Sequence, residues 1–364
     1  MDWGTYTFDA LDKKYDGFSA PFFEIIIGGK KLFEKDIIVT SLEVEQSADG
    51  TAGGCSFVVD GTYNYEQSRW ENQALDIVKP GAELLIRGGY VRDKELFYGF
   101  IDDYSIEYQE DEAPRLTVTG LDGLGYLMSF REPMYGGKKQ AAEIVKSILQ
   151  KSVSAGFAKK VTMGILPAFE APILKEQVDD WKFLNLMAQR CGVTLFALDG
   201  ELIFDSVVSR STPLLTLSLG KGLFSFKKRV SLAHQVGKVE IWGRDVNQKA
   251  IKGVASSVSV GGTGKTAAEL VPDLNKTVLR EYSEYARTQE ECTKLAQNRL
   301  DGIAMGLVTG EGSCIGLPEL IPGRHIKITG GDPSSNGVYY VTKVCHHFNE
   351  KGYETTFEIR GARA

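Results

Sequence analysis

Pro80-Gly81 is followed by Leu84, Ile86, Gly88-Gly89 and Phe97-Tyr98, and Pro322-Gly323 is followed at the same offsets by Ile326, Ile328, Gly330-Gly331 and Tyr339-Tyr340. Upstream, PFFEIIIG from Pro21 to Gly28 matches PLLTLSLG from Pro213 to Gly220. Downstream, both copies close on an alternating strand and a glycine, RLTVTG ending at Gly120 and TTFEIRG ending at Gly361. A Pro-Gly turn before a strand is common by itself. The same turn, glycine pair, aromatic pair and closing glycine in the same order twice is a duplication. The expected fold class is α+β, mainly β: two related antiparallel β-barrels joined by a mixed α/β domain, the second barrel interrupted by an insertion.

Taken in order, residues 1–20 lack periodicity and are expected to form an arm ordered only against a neighbour. Six β-rich runs between Gly, Asp and Pro punctuation then place the first barrel at 21–121. Residues 122–208 are mixed, with a helix expected over Gln140 to Val153 that buries Ile144, Val145, Ile148 and Leu149. The second barrel is expected at 209–244 plus 312–364. Between its halves, 245–311 carries a glycine-rich loop and a helix. Thr288 and Glu291 form a capping box there, and Cys292, Leu295, Ala296, Leu300 and Ile303 make its buried face. Each of these α-containing pieces alone buries too little, so 245–311 is expected to pack on 122–208 as one middle domain.

The string QVDDWKFLNLMAQRCGVTLFALDGELIFDS, Gln177 to Ser206, sits between the repeats. Asp179 or Asp180 can accept the amides of a helix start. Trp181, Leu184, Met187, Ala188 and Cys191 share a face, and Gly192 ends the helix. Asp199-Gly200, between two apolar strands, is the dipeptide of a type I′ hairpin. Asp180, Trp181, Phe183, Leu184, Ala188, Arg190, Gly192, Asp199, Gly200, Leu202 and Phe204 carry a pattern that resembles the signature of the phage late control protein D family. That family comprises the baseplate hubs of contractile tails and the hub half of type VI secretion spike proteins. The resemblance continues through Gly316, Leu317, Pro318, Leu320, Pro322, Gly323, Gly337, Tyr339, Tyr340, Val341, His346, Gly352, Tyr353 and Thr355.

The resemblance implies barrels like tail-tube subunits and a homotrimer whose six barrels adapt a hexameric inner tube, or a tube-initiator protein, to a trimeric spike around a central channel. It further implies a tape-measure protein and other baseplate components as partners. It also implies a place in a phage tail or an extracellular injection particle assembled in the bacterial cytoplasm. Since the chain ends at Ala364, the spike is expected to be a separate protein. Three copies of a chain at −6 carry −18, so the channel is expected to be acidic and to repel DNA or acidic cargo. The alternative within this class is the hub of a cell-anchored type VI-like apparatus.

Composition narrows the other classes. With 43% hydrophobic and 25% charged residues the chain reads as ordinary globular protein. No run approaches the roughly 20 apolar residues of a membrane span. The acidic, aromatic N-terminus is unlike a secretory signal, so no export is expected. A net charge of −6 argues against a nucleic-acid partner. Five scattered cysteines without a CxxC pair are expected to be reduced and mostly buried.

Gly261-Gly-Thr-Gly-Lys-Thr266 looks like a phosphate loop, the basis of a rival reading as a nucleotide-binding enzyme. The full pattern needs glycine where Ser259 stands, and a flexible loop is the preferred reading. Cys345-His346-His347, with Cys314, invites a metal, but neighbouring strand residues face opposite ways, so packing is preferred. Asp102-Asp103 is read as a solvent or neighbour-facing pair. The aromatics Tyr63, Tyr65, Trp70, Phe97, Tyr98, Phe100 and Tyr104 are read as core and interface. No catalytic residue, cofactor or metal is expected.

Overall fold

The computed structural model describes residues 4–60, 63–110, 112–135, 141–169, 172–208 and 210–364. Residues 1–3 of the expected arm, Gln140 of the expected helix and position 209 lie outside the described residues. Counting the longer elements only, the strands are β1 (Phe22–Ile27), β2 (Ile38–Ser47), β3 (Gly54–Asp60), β4 (Glu83–Gly89), β5 (Asp93–Gln109), β6 (Glu112–Asp122), β7 (Lys160–Met163), β8 (Thr194–Leu198), β9 (Glu201–Asp205), β10 (Pro213–Leu219), β11 (Gly222–Val230), β12 (Lys238–Arg244), β13 (Ala250–Ala255), β14 (Val278–Tyr282), β15 (Val308–Ile315), β16 (His325–Thr329), β17 (Gly337–Asn349) and β18 (Gly352–Gly361). The helices are α1 (Phe8–Lys14), α2 (Ala141–Ser154), α3 (Asp180–Cys191) and α4 (Gln289–Ala304).

The chain is mainly β with a few helices, and the duplication read from the sequence is repeated in the strand order. The first repeat runs β1-β4-β5-β6-β3-β2 across its sheet and the second β10-β16-β17-β18-β15-β11, the same permutation of six strands. Both Pro-Gly turns make the same pair of backbone bonds. Gly81 donates to Ile101 O (2.8 Å) while Ile101 donates to Ala82 O (2.9 Å). Gly323 donates to Val341 O (2.9 Å) while Val341 donates to Arg324 O (2.8 Å). Gly81 and Gly323 have φ of +82° and +79°, which explains why glycine follows the proline in both copies.

The repeats differ in closure. In the second, β10 meets β11 in parallel at Ser218↔Gly222 and Leu219↔Leu223, which closes a six-stranded mixed barrel. In the first, Gly28 and Gly29 turn the chain straight back, so the outer edge of β1 is taken by Lys30–Lys31. Its last strand, β2, pairs instead with β17 of the second repeat, from Leu42↔Phe348 to Ser47↔Lys343. The two repeats therefore form one spliced sheet over a common core that includes Ile25, Phe57, Ile86, Val118, Leu214, Ile326, Val344 and Phe357.

Two smaller cores flank it. The helix α2 buries Ile144, Val145, Ile148 and Leu149, the four residues its spacing selects, against α3 and the sheet β7-β9-β8. The second lies under α4, whose Thr288 and Glu291 form the capping box read from the sequence. Its Cys292, Ala296 and Leu300 pack on Val239 and Ile241 of β12. Thus β12 pairs with β13 and β14 rather than with the barrel strands.

Residues 4–20 pack on their own chain. Leu11, Tyr15 and Phe18 are buried in the shared core, and Lys14 and Tyr15 both donate to the buried Glu319 carboxylate at 2.6 Å. Of the three only Leu11 lies within α1; Tyr15 caps it and Phe18 follows at φ +57°, so no helical stripe marks them in the sequence. The five cysteines are all buried and unbridged.

Candidate functional site

The signature residues converge on a joint. Asp179 caps α3 by accepting the Lys182 amide at 2.7 Å, and Gly192 ends the helix at φ +68°. Trp181 and Asn185, one turn apart, both donate to the carbonyl of Gly50, at 2.8 and 3.1 Å. Gly50 lies in the tight turn between β2 and β3, at φ +90°. A Cβ there would meet Asn185 Oδ1 at 2.0 Å, so glycine is needed for both the turn and the contact. In the second repeat, the equivalent connection from β11 to β15 is where β12–β14 and α4 are inserted. The same place in the repeat is a helix-docking turn in one copy and an insertion in the other.

The other signature residues hold α3 from the remaining sides. Asp180 is fully buried and pairs with Lys175 at 2.5 Å and Lys151 at 2.6 Å, and Lys175 is itself 1% exposed. Lys175 also donates to the Glu132 carbonyl at 2.8 Å. Phe183 and Leu184 fill the core shared with α2. The guanidinium of Arg190 lies 3.8 Å from the Phe169 ring centre and 4.8 Å from that of Tyr285, which ties α3 to the insertion. Gly192 lies against Asn298 of α4. The 245–311 segment thus touches α3 while keeping its own core.

The hairpin completes the joint. Asp199 and Gly200 have φ of +51° and +79°, the two positive values a type I′ turn requires. Its tip rests on the first repeat: Gln46 donates to Leu96 O at 2.7 Å and reaches Asp199 Oδ1 at 3.5 Å. Burial, followed by the nearby Glu95, pushes the Asp199 carboxyl up to about 6. Asp122, which accepts the Gly53 amide at 2.6 Å and the Leu124 amide at 2.8 Å, is raised to about 7 because its burial outweighs those bonds.

The second arrangement is a continuous polar face across eight strands, β5-β6-β3-β2-β17-β18-β15-β11, four from each repeat in the same relative order. Cross-strand registers define its rows. One runs Asp103, Thr119, Ser56, Glu43, His347, Glu354. Another runs from Glu45 through Cys345, Thr356 and Ser313 to Ser225. Charges on it are interleaved: Lys343 pairs with Glu45 at 2.8 Å and Lys227 with Glu311 at 2.9 Å. The alternate residues Val44, Phe57, Val118, Val344 and Phe357 point into the core.

The remaining candidates fall elsewhere. The Gly261–Thr266 loop lies along the C-terminus, where Lys265 and Ala364 exchange both backbone bonds at 2.9 Å, and it leads into a helix of only four residues, Ala267–Leu270. His346 faces the core between Thr355 and Tyr353, and burial lowers its pKa to about 3. Cys314 is buried beside Thr355 O and apart from the Cys345 cluster. Tyr63 packs edge-on against Tyr65, Trp70 and Tyr108, whereas Phe97 and Phe100 are core. Pro322, Gly323, Gly337, Tyr339 and Tyr340 belong to the second barrel and lie outside the α3 joint. Gly50, Gln46 and Lys175 carry the joint but escape a reading by motif, because each acts through tertiary contact alone.

A family model described as the Alg8 N-terminal domain matches residues 19–350. No curated protein matches the sequence. Among solved structures, a tail protein from Neisseria meningitidis MC58 superimposes with a TM-score of 0.70 at 12% identity, covering 94% of this chain and 97% of that one. The 43 kDa tail protein of prophage MuSo2 from Shewanella oneidensis gives 0.68 at 15%, covering 93% and 98%. An E. coli component of the type VI secretion system, described as structurally similar to T4 bacteriophage tail proteins gp27 and gp5, gives 0.53 at 14%, covering 89% and 73%. The fold is thus shared with phage tail proteins and a type VI component, as the sequence resemblance implies.

Proposed function

The chain belongs to the family of the Alg8 N-terminal domain, and we propose that it is a structural hub: three copies form a ring that adapts a sixfold tube to a threefold spike. The observation that carries this reading is the repeated four-strand segment of the polar face. Two such segments per chain give a trimer six, so a ring with threefold symmetry offers a near-sixfold surface. The strands from Phe22 to Asp122 form one tube-like unit, and those from Pro213 to Val230 and from Val308 to Gly361 form the other. The middle region, 122–208 with the insertion from 238 onward, sets their relative position through the α3 joint.

The free edges support the closure. Beyond Ile101, β5 pairs with β6 alone, and beyond Leu223, β11 pairs with β15 alone. Both edges carry exposed apolar groups, Tyr104 and Tyr108 on β5 and Phe224 and Val230 on β11. Unpaired edges of this kind add strands readily. In the ring, β11 of one copy meets β5 of the next, as β2 meets β17 within the chain. Twenty-four strands at about 4.8 Å spacing give a backbone circumference of roughly 115 Å, enough for a wide channel. The polar face lines that channel, and its interleaved charges make the wall less acidic than the total of −6 per chain implies.

In this role the chain performs no catalysis, and its partners are further copies, the tube or its initiator, the spike, the tape-measure protein and other baseplate components of a phage tail or injection particle. Solution mass, measured for the chain alone and mixed with spike and tube proteins, tests the reading. Three copies per complex are expected in at least the spike-bound form. A chain that stays monomeric with both partners and binds neither contradicts it.

A further inference from the structure

Glu43 on β2 and Cys345 and His347 on β17 come together at the seam between the repeats, on the polar face. Strand alternation puts Cys345 and His347 on one side and turns His346 into the core. Glu43 Oε1 lies 3.3 Å from Cys345 Sγ and 3.6 Å from His347 Nδ1, and the three ligand atoms are all within 4.8 Å of one another. A tetrahedral zinc ion, with bonds of about 2.3 Å to sulfur and 2.0–2.1 Å to nitrogen and oxygen, sets its donors roughly 3.4–3.6 Å apart. The other ring nitrogen, Nε2, is 3.0 Å from Thr356 Oγ1, a contact that fixes the ring orientation as the outer partner of a metal-bound histidine does. The cluster opens into a groove of about 590 Å³ walled by Ser225, Lys227 and Lys343, with room for a fourth ligand.

We propose that Glu43, Cys345 and His347 bind one zinc-class divalent ion through a carboxylate oxygen, the thiolate and Nδ1, with the fourth position open to the groove. The thiolate selects a thiophilic metal over magnesium or calcium. Glu43 comes from the first repeat and the other two ligands from the second, so the ion pins β2 to β17 at the splice. The proposal is independent of the hub reading, because all three ligands belong to one chain.

The test strips the full chain with a chelator, titrates it with zinc against a chromophoric competitor, and repeats the titration with cobalt(II). About one ion per chain and a thiolate-to-cobalt charge-transfer band are expected. Cys345→Ser should abolish the band. Glu43→Gln, at an exposed position where folding is not at stake, should weaken zinc binding roughly tenfold or more, and Thr356→Val roughly tenfold. His234→Gln, on an exposed loop elsewhere, should change nothing. Absence of the band, or zinc affinity unaltered in Glu43→Gln, overturns the site.

Discussion

Asp180→Ala should lower the unfolding free energy by about 3–5 kcal/mol, the usual cost of removing one partner from a buried ion pair. The reason lies in what remains. Lys175 is 1% exposed and would keep only the Glu132 carbonyl, while Lys151, more accessible, can turn to water. Asp180 also stands in the first turn of α3, where a carboxylate suits the positive end of the helix. A urea midpoint shifted at constant slope measures the loss. Because the penalty comes from a stranded charge, the double variant Asp180→Leu, Lys175→Met should recover much of it. A loss under about 1 kcal/mol for Asp180→Ala would show that the pair does not hold the joint.

Trp181→Ala should cost about 2–4 kcal/mol, combining lost packing of a half-buried indole with the lost bond to Gly50 O. Its effect should also reach beyond stability. Trp181 is the contact by which α3 grips the β2–β3 turn, so its loss should loosen the first repeat relative to the middle region and reduce trimer assembly. Asn185 shares the same carbonyl, so Trp181→Ala and Asn185→Ala should be non-additive in a double-mutant cycle. An unchanged midpoint together with unchanged assembly would remove α3 from the role of spacer.

Much of this was legible in the sequence because the relevant signals are local. The Pro-Gly repeats fixed two corresponding sets of strands. Asp179, Gly192 and Asp199-Gly200 marked a cap, a stop and a turn, since each needs a residue type that few others replace. Closure was not legible. Whether a six-strand set closes on itself or splices to its neighbour is decided at β2 and β10, whose residues would serve either outcome. The insertion boundary shifted for the same reason, because β12 has the alternation of a barrel strand and only its partners tell it apart. The joint was half visible. Trp181 and Asp180 could be named, but Gly50 lies 131 residues away from Trp181 in the chain and is found only through the contact itself. The Glu43, Cys345, His347 cluster shows the limit most clearly. Alternation correctly separated His346 from His347, but the third ligand comes from a different repeat, and register across a seam cannot be read from spacing.

In the proposed ring the copy-to-copy junction repeats the junction between repeats within one chain. The row Asp103, Thr119, Ser56, Glu43 in the first repeat corresponds to Lys343, Glu358, Glu311, Lys227 in the second. Within the chain Glu43 stands opposite His347, and Glu45 opposite Cys345. By that correspondence Lys227 should stand opposite Glu107 of the next copy, a base facing an acid, and Arg229 opposite Ser105 of the next copy. Opposed residues on paired strands are close enough for a disulfide. Oxidation of the Arg229→Cys, Ser105→Cys double variant in assembled particles should therefore produce covalent ladders ending at three chains, with neither single variant doing so. Trimeric particles in which the double variant remains uncrosslinked would contradict the account.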